Sequence, residues 1–121
     1  MGQIQYLLGA IVLIVLDGIY LNVIKQHFNK QILAVQGSNI KFNFTAAILT
    51  YVFLIFGLNY FIIRKRLPIH DAMLLGLVIY ATYELTNMAL LKNWSWITVI
   101  VDTLWGSILF GLTTAIVYKL T

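Results

Sequence analysis

The sequence contains four long apolar segments of about 20 residues each, and its charged residues fall mainly between them. An α-helix rises about 1.5 Å per residue, so a segment of this length crosses the ~30 Å hydrocarbon core of a bilayer. Hydrophobic residues make up 61% of the 121-residue chain and charged residues 10%, which is too apolar for a soluble fold of this size. We therefore predict an all-α, polytopic membrane protein with one domain, a four-helix transmembrane bundle embedded in the lipid bilayer.

The predicted transmembrane helices cover residues 3–24, 44–63, 72–91 and 96–118. Between the first two, residues 25–36 carry apolar side chains at spacings of three and four, with Lys and Gln elsewhere around the turn. This pattern predicts a short amphipathic helix that lies in the membrane interface and ends at Gly37. The two later connections are short, which favours antiparallel neighbours in an up-down bundle.

An even number of spans places both ends of the chain on the same side of the membrane. The basic residues are balanced between the two faces: Arg64, Lys65, Arg66 and Lys119 on one, and Lys25, Lys30, Lys41 and Lys92 on the other. The compact cluster at residues 64–66 favours cytoplasmic termini. Equal numbers of basic residues on the two faces are also compatible with dual insertion, in which the chain inserts in both orientations and forms an antiparallel dimer.

Composition excludes several kinds of site. The chain has no cysteine, which excludes disulfides, thiolate metal sites and cysteine nucleophiles. No basic patch with interleaved aromatic residues indicates a nucleic-acid partner. His27 and His70 fall in segments on opposite membrane faces, so they do not share a metal site within one chain. We predict no cofactor, and the sequence leaves metal binding open.

Three carboxylates lie inside the predicted spans: Asp17, Glu84 and Asp102. Counted from Lys25, Lys92 and Trp96, which mark one membrane face, all three lie at a similar depth, about 10 Å below that face. No Lys or Arg lies within the four spans. Because an intramembrane carboxylate is costly, these residues are the first candidates for function.

Other polar and aromatic side chains occur at the same depth and would orient the acids. The candidate ligand-binding or ion-binding residues are Asp17, Glu84, Asp102, Tyr20, Tyr80, Asn87 and Trp105. Tyr51 lies at a matching height in the second span. We interpret Trp94 and Trp96 as an interfacial aromatic belt, and Gly106 as a site of close helix approach.

Three functions remain open at this point. The leading hypothesis is that the acidic and aromatic layer binds a proton, a cation or a small polar ligand, for transport that would need a homo-oligomer to enclose a path. A second is a membrane-embedded enzyme that modifies lipids, although we assign no catalytic residue. The third is a structural or accessory protein, in which protonated acids and their hydrogen-bond partners join the helices.

Sequence motifs also resemble a known family. The segments Tyr80–Ala89 and Asp102–Gly106, with Leu16–Leu21 in the first span, resemble the signature of the small membrane proteins catalogued as domain of unknown function 2177. Here Tyr20 stands where the family usually has Trp, and Glu84 stands where it usually has Asp. The resemblance covers almost the whole chain. It implies a four-helix membrane fold and no known activity.

Overall fold

The computed structural model describes residues 2–38 and 42–121. It contains four helices: α1, Gly2–Gln36; α2, Phe44–Leu58; α3, Ile69–Leu90; and α4, Trp96–Leu120. A π-helical turn, Asn59–Ile63, continues α2. All four helices are long and apolar enough to cross a membrane, when α2 is taken together with its π turn. The predicted all-α fold with four transmembrane helices is confirmed.

The separate interfacial helix is not confirmed. Residues 25–36 are helical, but they continue α1 without a break. The glycines of α1 all precede residue 25 and it contains no proline, so nothing in this segment interrupts the helix. At 35 residues α1 is about 50 Å long, longer than the ~30 Å hydrocarbon core, and residues 25–36 account for about 18 Å of its length. Gly37, with φ of +72°, ends it.

Local signals set the starts of two other helices. Asn43 precedes α2 and its side-chain oxygen accepts a hydrogen bond from the Ala46 backbone N–H at 3.1 Å. Ser95 precedes α4 and accepts one from the Thr98 N–H at 3.2 Å. These caps satisfy backbone donors that the first turn of a helix leaves free.

Helix α4 is the centre of the bundle. Helix α3 packs along it, α1 packs against another side of it, and α2 packs against α1 and reaches α4 through the π turn. Although the connection between α2 and α3 is short, these two helices have little direct contact. Gly76 of α3 lies against the backbone of Gly106 in α4, and the Tyr80 ring covers Gly106. The close approach expected at Gly106 is therefore present.

The bundle has two different ends. The α3–α4 connection and residues 25–36 of α1 lie at one end, which we call the Lys92 face. The α2–α3 connection and both ends of the described chain lie at the opposite end, the Arg64 face. Lys41, counted above among the basic residues of the first face, lies outside the described residues.

The half of the bundle toward the Arg64 face is mostly apolar, although Asn59, Thr113 and Thr114 are also buried there. The buried cluster comprises Leu13, Leu58, Ile62, Ile63, Ala72, Leu109, Phe110 and Val117. Each is 5% exposed or less. The polar candidate residues lie above this cluster, toward the Lys92 face.

Candidate functional site

All three intramembrane carboxylates point into the bundle. Asp17 is 7% exposed, Asp102 is 6% exposed and Glu84 is fully buried. Within residues 2–38 and 42–121, no Lys, Arg or His forms an ion pair with any of them. Their hydrogen bonds come from aromatic side chains instead, and we call the three acids and these donors the acid layer.

Asp17 joins three helices. Its Oδ1 accepts a hydrogen bond from the Trp105 indole N–H of α4 at 2.9 Å. Its Oδ2 accepts one from the Tyr51 hydroxyl of α2. Both carboxylate oxygens of this α1 residue are therefore satisfied.

Asp102 lies next in the layer. Its Oδ1 accepts a hydrogen bond from the Tyr20 hydroxyl of α1 at 3.1 Å. The Tyr20 ring stacks on the Trp105 indole, with centroids 4.5 Å apart and planes 4° from parallel. Trp105 donates to Asp17 and Tyr20 donates to Asp102, so the two stacked rings contact both aspartates.

Glu84 completes the layer from α3. Its Oε1 accepts a hydrogen bond from the Trp94 indole N–H at 2.9 Å. Its carboxyl group also lies close enough to that of Asp102 for the two to interact directly. The other oxygen, Oε2, is buried and has no hydrogen-bond partner within residues 2–38 and 42–121. An unpartnered buried carboxyl oxygen beside a second carboxyl group is unfavourable unless a proton or another ligand lies between them.

Two candidate residues have other surroundings. Tyr80 packs over Gly106 and contacts Phe110 edge to face, with centroids 6.5 Å apart. Asn87 is half-buried, and its backbone oxygen accepts from the Leu91 N–H. In the described structure neither side chain forms a hydrogen bond with an acid of the layer. The layer thus brings together five of the seven candidates: Asp17, Glu84, Asp102, Tyr20 and Trp105.

The sequence predicts that Trp94 and Trp96 both lie in an interfacial aromatic belt, but the structure places them in different surroundings. Trp96 is 62% exposed, as expected of an interfacial residue. Trp94 is 7% exposed and donates to Glu84, so its assignment to the aromatic belt is wrong. Asn93, with φ of +66°, forms part of the tight turn before it. Counting residues gives the depth of Trp94 but not the direction in which such a turn sends the indole.

A second polar cluster lies above the layer, and sequence reasoning missed it. The cluster consists of His27, Gln31, Asn93, Ser95 and Thr98. His27 Nε2 lies 2.7 Å from Thr98 Oγ1, and the Thr98 hydroxyl donates to Gln31 Oε1 at 2.7 Å. Gln31 Nε2 donates to the Asn93 backbone oxygen at 2.7 Å. The available signal was the spacing of four between His27 and Gln31, which places both on one face of a helix.

The arrangement of the acids bears on metal binding. Within the described part of the chain, no three His, Asp or Glu side chains converge on one point as metal ligands would. Divalent hard cations take six or more oxygen ligands. The pairing of Glu84 with Asp102 is better suited to a proton or a monovalent ligand.

A family model described as a predicted membrane protein, DUF2177, matches residues 3–119. The chain belongs to this family. The resemblance drawn from the motifs is thereby confirmed, and the protein is an integral membrane protein. No match was found among curated proteins or among solved structures.

Proposed function

We propose that the protein binds a proton between Glu84 and Asp102, inside the membrane. The observation that carries this is the buried Glu84 Oε2, which has no hydrogen-bond partner among the described residues although the carboxyl group of Asp102 interacts with that of Glu84. A proton on either group would form a hydrogen bond between them. It would also remove one of two like charges in a region of low dielectric constant.

The surroundings of the pair support a proton over a bare negative charge. No Lys or Arg lies within the four predicted spans to neutralise three carboxylates. Asp17 accepts hydrogen bonds from two aromatic donors, one on each carboxylate oxygen, so neither oxygen is left without a partner. Glu84 has a single donor and full burial, which makes it the better site for a proton.

Infrared difference spectroscopy of the purified protein tests this proposal, because a protonated carboxyl group has a C=O band that ionisation removes. We expect a pH-dependent band in the wild type that Glu84→Gln or Asp102→Asn abolishes or shifts. Asp71, the fourth acid, lies at the Arg64 end and is more exposed, so Asp71→Asn is the matched control.

Two outcomes would count against proton binding. One is a spectrum in which the carboxyl band is identical in wild type and both layer variants. The other is the absence of any titrating carboxyl band while the protein stays folded. In either case the acids serve to join the helices, and the accessory role becomes the better description.

We extend this proposal to transport: the layer would carry the bound proton, a cation or a small polar ligand across the membrane. The apolar half toward the Arg64 face would have to open, or a homo-oligomer would have to supply the second half of a path. Flux into proteoliposomes of protons, monovalent cations and organic amines tests it. Transport is refuted if every flux is the same in wild type, in Asp17→Asn and in Glu84→Gln.

We also propose that both termini lie in the cytoplasm. The support is the short connection with Arg64, Lys65 and Arg66, because positive residues in short loops favour the cytoplasmic side. The Lys92 face would then face outward.

A further inference from the structure

We propose that His27 and Thr98 are the route by which protons reach the acid layer, and that this route opens only to the Lys92 face. The inference rests on the proposed proton binding at Glu84 and Asp102. It adds which side of the membrane exchanges protons with the site, and through which side chains.

The hydrogen bonds around Thr98 fix the proton on His27. Gln31 Nε2 donates to the Asn93 backbone oxygen, so Gln31 Oε1 is left as an acceptor only. The Thr98 hydroxyl therefore gives its single proton to that oxygen, 2.7 Å away. At 2.7 Å from the same hydroxyl, His27 Nε2 must be the donor. The neutral ring thus carries its proton on Nε2, and Nδ1 is free to accept one.

Thr98 lies directly above the layer. It precedes Asp102 by one helical turn of α4, a rise of about 6 Å. In the proposed route, one water molecule joins the hydroxyl to the Asp102 carboxyl group. On α1, His27 follows Tyr20, the donor to Asp102, by two turns. The seam between α1 and α4 therefore carries His27 and Thr98 toward the Lys92 face and Tyr20 and Asp102 at the layer, with Ile24 between His27 and Tyr20 on α1.

The relay conserves protons at each step. His27 Nδ1 takes a proton from water, and Nε2 passes its proton to Thr98 Oγ1. The hydroxyl turns from Gln31 and passes its own proton to the water in the gap, which protonates the carboxyl pair. His27 is then neutral with its proton on Nδ1, and exchange with water restores the starting form.

Few other ionisable groups surround His27. Lys25 and Lys30 on α1 and Lys92 in the α3–α4 connection are exposed. From α4, Asp102 is the ionisable residue on the same seam, one turn below Thr98. The Phe28 ring packs edge to face against the imidazole, with centroids 6.2 Å apart.

The other half of the bundle offers no comparable route. The apolar cluster defined above occupies most of it, and the Arg64 end is covered by Tyr118, whose hydroxyl donates to the Leu67 oxygen at 2.7 Å. Arg66 lies over the Tyr118 ring at 4.6 Å. Asn59, Thr113 and Thr114 are buried in this half, but they do not form a chain. Among the described residues, Asn59 Oδ1 and both hydroxyl oxygens have no hydrogen-bond partner, and Asn59 Nδ2 donates within its own helix to the Ile55 oxygen.

The test is the rate at which the carboxyl infrared band responds to a rapid pH change in the purified protein. We expect His27→Ala to slow the response on the order of 100-fold, a typical contribution of one positioned acid–base group. The size of the final signal should stay the same. His70→Ala is the matched control, because His70 is 80% exposed at the Arg64 face, and it should respond like wild type.

A second pair of measurements separates a proton relay from a structural role. Added imidazole should restore the rate in His27→Ala, whereas pyrazole, a ring of the same size that is scarcely basic, should not. Thr98→Val, which keeps the shape of the side chain, should also slow the response and should not be rescued by imidazole.

Each outcome has one meaning. A slow response in His27→Ala that imidazole alone restores supports the route. An unchanged rate in His27→Ala and Thr98→Val, or equal rescue by both rings, overturns the route and leaves the proposed proton binding intact. If the wild type shows no titrating carboxyl band, the proposed function fails and the route fails with it.

Discussion

Each carboxylate of the acid layer accepts a hydrogen bond from an aromatic side chain, and in the part of the chain that the structure describes none accepts one from a basic residue. Tyrosine and tryptophan present one polar atom on a large apolar body, so they are far cheaper to place in a membrane than Lys or Arg. They satisfy acceptor atoms but do not cancel negative charge. This difference is the reason for proposing a proton between Glu84 and Asp102.

Trp105→Phe isolates one of these hydrogen bonds. The phenyl ring can keep the stack on Tyr20, but Asp17 loses its indole donor. We expect a loss of about 1 kcal/mol in the free energy of unfolding, in the range measured for hydrogen bonds within membranes. Reversible unfolding in mixed micelles measures it.

Trp96→Phe is the control, because Trp96 is exposed and should give a change near zero. Equal losses in the two variants would mean that the Trp105 hydrogen bond adds nothing to stability.

At the level of helices, the contact between α3 and α4 depends on two glycines. Gly76 meets the backbone of Gly106, and Gly106 is covered by the Tyr80 ring. In lipid, close packing takes the place of the hydrophobic effect in joining helices, so small residues at a crossing have a large influence. This contact also sets the position of Glu84 relative to Asp102, two turns along α3 from Gly76.

Gly76→Ala should separate α3 from α4. The added methyl group would meet a backbone oxygen, which cannot move aside as a flexible side chain can. We expect a loss of about 1–3 kcal/mol in the free energy of unfolding, the usual cost of overpacking. Thermal unfolding in detergent measures the difference.

Gly57→Ala is the matched control, since no other group lies within 4 Å of the position of its new methyl group. It should be neutral, or slightly stabilising through helix propensity. A Gly76→Ala variant as stable as Gly57→Ala would show that the α3–α4 crossing is looser than described.

At the scale of the whole molecule, orientation can be read directly because the chain contains no cysteine. Ser38→Cys places one thiol at the Lys92 face and Thr121→Cys places one at the Arg64 face. With cytoplasmic termini, an impermeant maleimide added outside intact cells should label Ser38→Cys and not Thr121→Cys.

Two other labelling patterns would change the description. The reverse pattern would refute cytoplasmic termini. Partial labelling of both variants would indicate dual insertion.

Some of this structure could be predicted from the sequence and some could not. Helix number and the burial of the three acids follow from hydropathy and from the cost of a carboxylate in lipid. The partners of the acids depend on how each helix is rotated, which depth does not specify. Trp105 follows Asp102 by nearly one turn, yet it binds Asp17 of another helix. Residues 25–36 continue α1 because no breaker interrupts them and because Gln31 is held by the α3–α4 connection.

The mostly apolar half of the bundle has an electrical consequence. Water enters a polar region more readily than an apolar one, so most of the transmembrane voltage would fall across the dry, apolar side. A charge that reaches the acid layer from the Lys92 face would cross little of that dry region, whereas one leaving toward the Arg64 face would cross nearly all of it. Since about 100 mV is worth about 2.3 kcal/mol per elementary charge, the depth of the apolar cluster decides how strongly voltage acts on whatever the layer holds.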